Sequence, residues 1–227
     1  MTSTWRRPWL MLIVSPDDVL RGSVVREAMA GSALDVVQLR HNPATPFDKN
    51  TFMRALAALP GLGPIVQPPL YVANLPASSD LIHSVHGMDG VHYPERDLVH
   101  LKKQLRHGEP AMFGVSVHST KSAVAAMAVG ATYMQVGTMF PTASHPEKSK
   151  VEGPSLMSEI RHLLPNAQLV GVGGIDESNC TEVLRAGANG VAVIRTILQA
   201  EDPRQAAQRL RQALDEHQML FNDHSSR

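Results

Sequence analysis

Apolar runs of strand length alternate with helix-patterned segments along almost the whole chain, and this alternation limits the fold more than any single motif does. Strands are expected at 9–15, 34–40, 69–74, 90–93, 111–117, 132–140, 168–175 and 190–197. Helical spacing lies between and after them, as in Leu98, Leu101 and Leu105, and in Ala206, Leu210, Ala213 and Leu214. Apolar strands linked through helices are parallel strands buried on both faces. Three helix-to-strand joints read alike: HGMDGVHY (86–93), VGATYMQV (129–136) and AGANGVAV (186–193). Each has a glycine stop, a short turn and a buried strand, and strand starts near 69, 90, 111 and 132 recur every 21 residues. The expected fold class is α/β, a (β/α)8 TIM barrel with eight parallel strands. An open doubly wound sheet is the alternative, but no GxGxxG follows the first strand.

With 227 residues, one domain is expected over 1–227, its barrel at about 9–215 and a C-terminal tail at about 216–227. Balanced charge, 21 basic against 21 acidic residues, argues against a nucleic-acid surface. Cys180 is the single cysteine, which excludes an internal disulfide and fits a reducing, cytoplasmic compartment. Arg6 and Arg7 precede the apolar run Trp9–Val14, but Ser15-Pro16-Asp17-Asp18 closes it with no small-residue cleavage pattern. It reads as the first strand. No stretch approaches the roughly 18–20 apolar residues that span a membrane. No histidine pair has metalloprotease spacing, and no Cys/His cluster suggests zinc.

In a barrel, chemistry belongs at the C-terminal ends of the strands. Those ends carry Ser15, then Gln38 and Arg40, Asn74, His92 and Tyr93, Ser116 and His118, Gly137 with Phe140-Pro141-Thr142, and finally Gly173, Gly174, Arg195 and Thr196. The stretch 168–198 reads as a βαβ unit whose helix takes Asp176 or Ser178 as N-cap and stops at Gly187. Glycines at 171, 173 and 174 let an anion approach the backbone, and Arg195 adds a bidentate cation. A phosphate site at Gly173, Gly174, Arg195 and Thr196 is therefore expected, where barrels often bind phosphate. The plainer alternative is that these glycines only allow tight packing of a turn.

VVQLR (36–40), DGVH (89–92), GVSVHS (114–119), VGTMFPTAS (136–144), VGVGGI (170–175) and AGANGVAVI (186–194) together resemble the thiamine phosphate synthase superfamily, in order and spacing, over roughly residues 10 to 200. The resemblance implies a (β/α)8 barrel of thiamine biosynthesis. One branch, thiamine phosphate synthase, joins a pyrimidine diphosphate to a thiazole phosphate with magnesium. The other is the TenI-type thiazole tautomerase, which aromatises a thiazole phosphate carboxylate by moving a proton.

Departures from the synthase pattern separate the branches. Asn42 and His145 stand where the resemblance implies lysines, Leu75 where it implies a magnesium-binding aspartate, and Arg195 where it implies a phosphate-binding serine. Asp97 keeps the place of a second metal carboxylate, with Glu95 close by. Lys148 and Lys150 follow strand 6 and could replace the missing charge. A diphosphate leaving group without metal or lysines is costly. Proton transfer needs only a base that titrates near neutrality, a phosphate anchor and a dry cleft. His118 is the expected base, with His92 and His145 next in line. Gln38, Arg40, Asn74, Thr142 and Ser144 are the expected substrate contacts.

The first reading is thus a TenI-like isomerase that needs no cofactor and acts on phosphorylated thiazole or pyrimidine molecules. The second is a divergent synthase with magnesium on Asp97. The third is a non-catalytic phosphate-ligand binder. No nucleic acid or membrane partner is expected, and a homodimer is left open.

Overall fold

Eight parallel strands close into a barrel in sequence order: β1 (Trp9–Val14), β2 (Val36–Arg40), β3 (Leu70–Asn74), β4 (Gly90–Tyr93), β5 (Met112–Val117), β6 (Tyr133–Gly137), β7 (Leu169–Val172) and β8 (Gly190–Val193). Pairing of β8 with β1 completes the ring. This computed structural model describes residues 7–41, 46–64, 67–75, 87–104, 112–142 and 151–225. Among these, the helices are α1 (Pro16–Arg21), α2 (Ser23–Met29), α3 (Lys49–Ala58), α4 (Leu98–Gln104), α5 (Thr120–Ala128), α6 (Gly153–Leu163), α7 (Cys180–Arg185), α8 (Arg195–Leu198) and α9 (Pro203–Ser225). None of them is long and apolar enough to cross a membrane.

The two-residue period of a strand divides the apolar residues into two cores. Trp9, Met11 and Ile13 point into the barrel with Val36, Val72, Tyr133 and Val170. Leu10, Leu12 and Val14 point outward against the helices, joined there by Val37, Leu39 and the buried Cys180. Gly114 belongs to the inner face because a Cβ there would lie 2.1 Å from the Tyr133 ring. That ring takes the space a larger residue would need.

The similar joints have a chemical cause. Asp89 Oδ2 accepts the Tyr71 N–H at 2.7 Å, Thr132 Oγ1 accepts the Phe113 N–H at 2.8 Å, and Asn189 Oδ1 accepts the Leu169 N–H at 3.0 Å. Asp35, before β2, does the same to Leu10 at 2.8 Å. Each also donates its own N–H to the carbonyl of the residue it clasps. A short polar acceptor therefore precedes every even-numbered strand and satisfies an N–H in the first two residues of the odd strand beside it.

Asp35 is further tied to the C-terminal helix. Arg211 on α9, only 7% exposed, donates to its carboxylate at 2.9 Å and to the Pro8 carbonyl at 2.8 Å. Arg211 also pairs with Asp215 at 2.7 Å, and Arg7 reaches Asp35 at 2.8 Å. Because α9 runs on to Ser225, the residues expected as a separate tail continue the last helix.

Strand ends differ from expectation on one side of the barrel. β6, β7 and β8 stop at Gly137, Val172 and Val193, earlier than the sequence runs suggest. Arg195 and Thr196 consequently lie in the first turn of α8, beyond the strand. Asp176 and Ser178 do not cap α7, which begins at Cys180. They form a turn in which the Asp176 carboxylate accepts the Ser178 N–H at 2.8 Å.

Candidate active site

The same alternation aims the polar side chains. Arg40 shares the inner face of β2 with Gln38, and His118 continues the inner face of Ser116 on β5. At the C-terminal mouth, Arg40, Ser116, His118, Thr142, Gly173, Gly174, Arg195 and Thr196 surround one cleft, with Gln135, Gly137 and Thr138 from the β6 side. Val172, Ile194 and neighbouring apolar residues complete the wall.

Two cations and no described carboxylate line this cleft. Arg40 is half-buried and has no ion pair with any described residue, and burial lowers its pKa from the ordinary arginine value. Arg195 Nη2 donates to Thr142 Oγ1 at 3.3 Å. A recess with unneutralised positive charge and low-dielectric walls concentrates anions.

The turn after β7 brings two chain segments close. Gly173 and Gly174 have φ of 100° and 66°, and a Cβ on Gly174 would lie 2.6 Å from the carbonyl oxygens of Phe140 and Pro141. Packing alone accounts for glycine at 174, and the turn also borders the cleft. Asn179 holds it there, accepting from the Asp176 N–H at 2.9 Å and donating to the Gly174 carbonyl at 3.0 Å. Thr196 donates its hydroxyl hydrogen to the Ile175 carbonyl at 2.6 Å, so that hydrogen serves the turn and is not offered to a ligand.

His118 sits just before α5, whose N-cap Ser119 and Ser122 form a reciprocal capping box. Ser122 Oγ also accepts the His118 backbone N–H at 3.3 Å. The imidazole Nδ1 is hydrogen-bonded to Glu95, from the short 3-10 turn Glu95–Asp97 after β4.

His92 is not a rim histidine. It is fully buried, with Nδ1 3.0 Å from the Tyr133 hydroxyl and Nε2 2.8 Å from Ser116 Oγ. Burial, and secondarily the charge of Arg40, pushes its pKa down to about 3. The ring is therefore neutral near pH 7. The buried Tyr133 hydroxyl must donate to Nδ1, which makes Nε2–H the donor to Ser116 Oγ and leaves the Ser116 hydroxyl hydrogen for the cleft. This tautomer is assigned from the bonding pattern.

Gln38 lies deeper than its expected role requires. It is completely buried, accepts a hydrogen bond from Gln135 Nε2, and its own Nε2 has no partner among the described residues. Asn74 stands between Arg40 and His92 in the strand register but does not border the cleft. Ser144, with Asn42, His145, Lys148 and Lys150, lies outside the described residues. Sequence reasoning passed over Gln135, which the parity of Tyr133 and Gln135 on β6 could have found. It also missed the partnership of Glu95 with His118, which nothing in the sequence signals.

The magnesium set implied by the resemblance does not fit the described residues. Leu75 is fully buried in the apolar layer between barrel and helices. Asp97 is present, but no group of three or more His, Cys, Asp or Glu residues among the described ones could hold a metal ion.

The family model described as thiamine monophosphate synthase matches residues 10–197. A thiamine-phosphate synthase of Haloquadratum walsbyi is 32% identical over 194 residues, which are 83% of this chain and 82% of that protein. A thiamine-phosphate synthase of Bacillus licheniformis is 38% identical over 120 residues, so the chain spans about half of that relative's length, 53%. Thiamine phosphate pyrophosphorylase from Pyrococcus furiosus superposes with a TM-score of 0.75 at 26% identity, covering 95% of this chain and 99% of the other.

Proposed function

Because the chain belongs to the thiamine monophosphate synthase family, we propose that it is an enzyme of thiamine biosynthesis whose own reaction is proton transfer on a phosphorylated thiazole carboxylate. One observation carries this reading: His118 stands at a cationic cleft, while the place of a metal-binding carboxylate is filled by buried Leu75. In this reading the phosphate binds at Arg195 and the Gly173-Gly174 turn. Arg40 and the Ser116 hydroxyl hold the carboxylate. His118 takes a proton from a ring carbon, the C–H electron pair enters the conjugated system, and the proton returns at its far end. Atoms balance without a co-reactant.

A second reading, thiamine phosphate synthase itself, is favoured by the names of the relatives at 32% and 38% identity. Departure of a diphosphate would then need stabilisation of several negative charges. Asp97 and lysines outside the described residues would have to supply it. Incubation with the pyrimidine diphosphate, the thiazole phosphate and magnesium separates the two readings. We expect no thiamine phosphate above background. Magnesium-dependent product that disappears in EDTA would make the synthase the function. A binder without chemistry would take up the thiazole phosphate with no turnover, and its binding would survive His118→Ala.

Two expected results follow for the anchor and the metal. Arg195→Ala should weaken binding of phosphorylated ligands about ten- to hundredfold, corresponding to a charge-assisted contact of roughly 1.5–3 kcal/mol. Calorimetry with the unphosphorylated thiazole should show little change, and equal losses for both ligands would make Arg195 a structural residue. Turnover of the thiazole carboxylate phosphate should persist in EDTA. Full inhibition with rescue by magnesium would contradict the metal-free reaction.

A further inference from the structure

Glu95 and His118 come from different elements, 23 residues apart, and meet at the edge of the cleft through Nδ1 alone. His118 borders the cleft and Glu95 does not. A neutral imidazole carries one N–H, on either nitrogen, and a carboxylate can only accept. The contact therefore puts the hydrogen on Nδ1, leaving Nε2 as the proton acceptor. The two nitrogens of a histidine are set in this way by the bond that one of them makes.

We propose that Glu95 is the positioning residue of the His118 base: it selects the Nδ1–H tautomer, holds the ring angle and keeps Nε2 as the acceptor for substrate. The inference rests on the proton-transfer reading and names the group that makes His118 competent for it. As Nε2 takes the proton, the ring becomes an imidazolium whose new charge lies against the Glu95 carboxylate. As Nε2 returns the proton, the ring is neutral again in the same tautomer. Glu95 touches neither the transferred proton nor the substrate.

Side-chain exposures of 43% for His118 and 31% for Glu95 mean that the pair adds little to stability. Variants at position 95 should therefore stay folded. His118 has a fixed approach from its other side, because Ser122 caps its backbone, so loss of Glu95 frees the ring rather than the chain.

The test uses the whole protein labelled with nitrogen-15, with ring resonances of His118 assigned by their loss in His118→Asn. In the neutral form, wild type should show the Nδ1–H tautomer. Glu95→Ala should shift the ring toward the Nε2–H form. Its kcat should drop about 10–100-fold, the usual effect of losing a group that orients a functional histidine, with KM within about twofold. Glu95→Gln keeps an acceptor for Nδ1–H without the charge, so it should retain the wild-type tautomer and recover part of the kcat. A wild-type ring in the Nε2–H form would overturn the proposal, as would a Glu95→Ala protein with unchanged tautomer and kcat. The tautomer is read without substrate, so absence of wild-type turnover would sink the proton-transfer reading while the ring state still decided the role of Glu95.

Discussion

Replacing His118 with asparagine should cut turnover of a thiazole carboxylate phosphate by about 10²–10⁴, the contribution of a positioned general base. Asparagine is polar and of similar size, but it cannot take up a proton at the working pH. The barrel should remain folded, since the imidazole is 43% exposed and, among the described residues, its ring is hydrogen-bonded to Glu95 only. KM should move little, because the phosphate contacts assigned to Arg195 and the β7 turn are untouched. Retained activity would remove His118 from the mechanism. His92 could not take its place, because it is fully buried, both its ring nitrogens are hydrogen-bonded and burial pushes its pKa down to about 3; His145 would be the next candidate.

Asp35→Ala should lower stability by about 3 kcal/mol, the largest single loss expected outside the cleft. The carboxylate holds Arg7, the buried Arg211 and the Leu10 N–H at once. Its removal leaves Arg211 with Asp215 as its remaining ion-pair partner and takes the side-chain acceptor from the first clasp of the barrel. A midpoint of thermal unfolding lower by about 10 °C would follow for a domain of this size. Arg211→Met in the same background removes the buried cation that has lost one of its two carboxylates, so the double variant should be less destabilised than the two single losses added together. Strict additivity would show that Arg211 and Asp35 are not energetically coupled.

The fold was legible in the sequence because its joints repeat. Asp89, Thr132 and Asn189 occupy the same place in three similar joints, and each clasps the preceding odd strand. The strand ends on the β6–β8 side were less legible. Phe140, Ile175 and Ile194 prolong the apolar runs, yet they belong to loops and turns rather than to the ladder, and Ile175 and Ile194 line the cleft. An apolar run records burial, which a tucked loop shares with a strand.

The site was legible by parity but not by depth. Alternation correctly puts Gln38, Arg40, Ser116 and His118 on inward faces, but a period of two cannot tell mouth from interior. Gln38 is therefore one layer below the cleft, against Gln135. Glu95 was read only as a neighbour of Asp97, because its contact with His118 depends on the path of the chain after β4. Thr196 matched a phosphate-binding residue type, but its hydroxyl hydrogen is used by the turn at Ile175.

Proton NMR in deuterium oxide, with EDTA present and a thiazole carboxylate phosphate as the sole substrate, tests the metal-free proton transfer most directly. Conversion to the aromatic isomer, with deuterium entering the carbon that receives the proton, is the result predicted for wild type, and its near-loss is predicted for His118→Asn. A substrate that stays unchanged until magnesium and a pyrimidine diphosphate are added, and is then converted to thiamine phosphate with release of pyrophosphate and carbon dioxide, would contradict it.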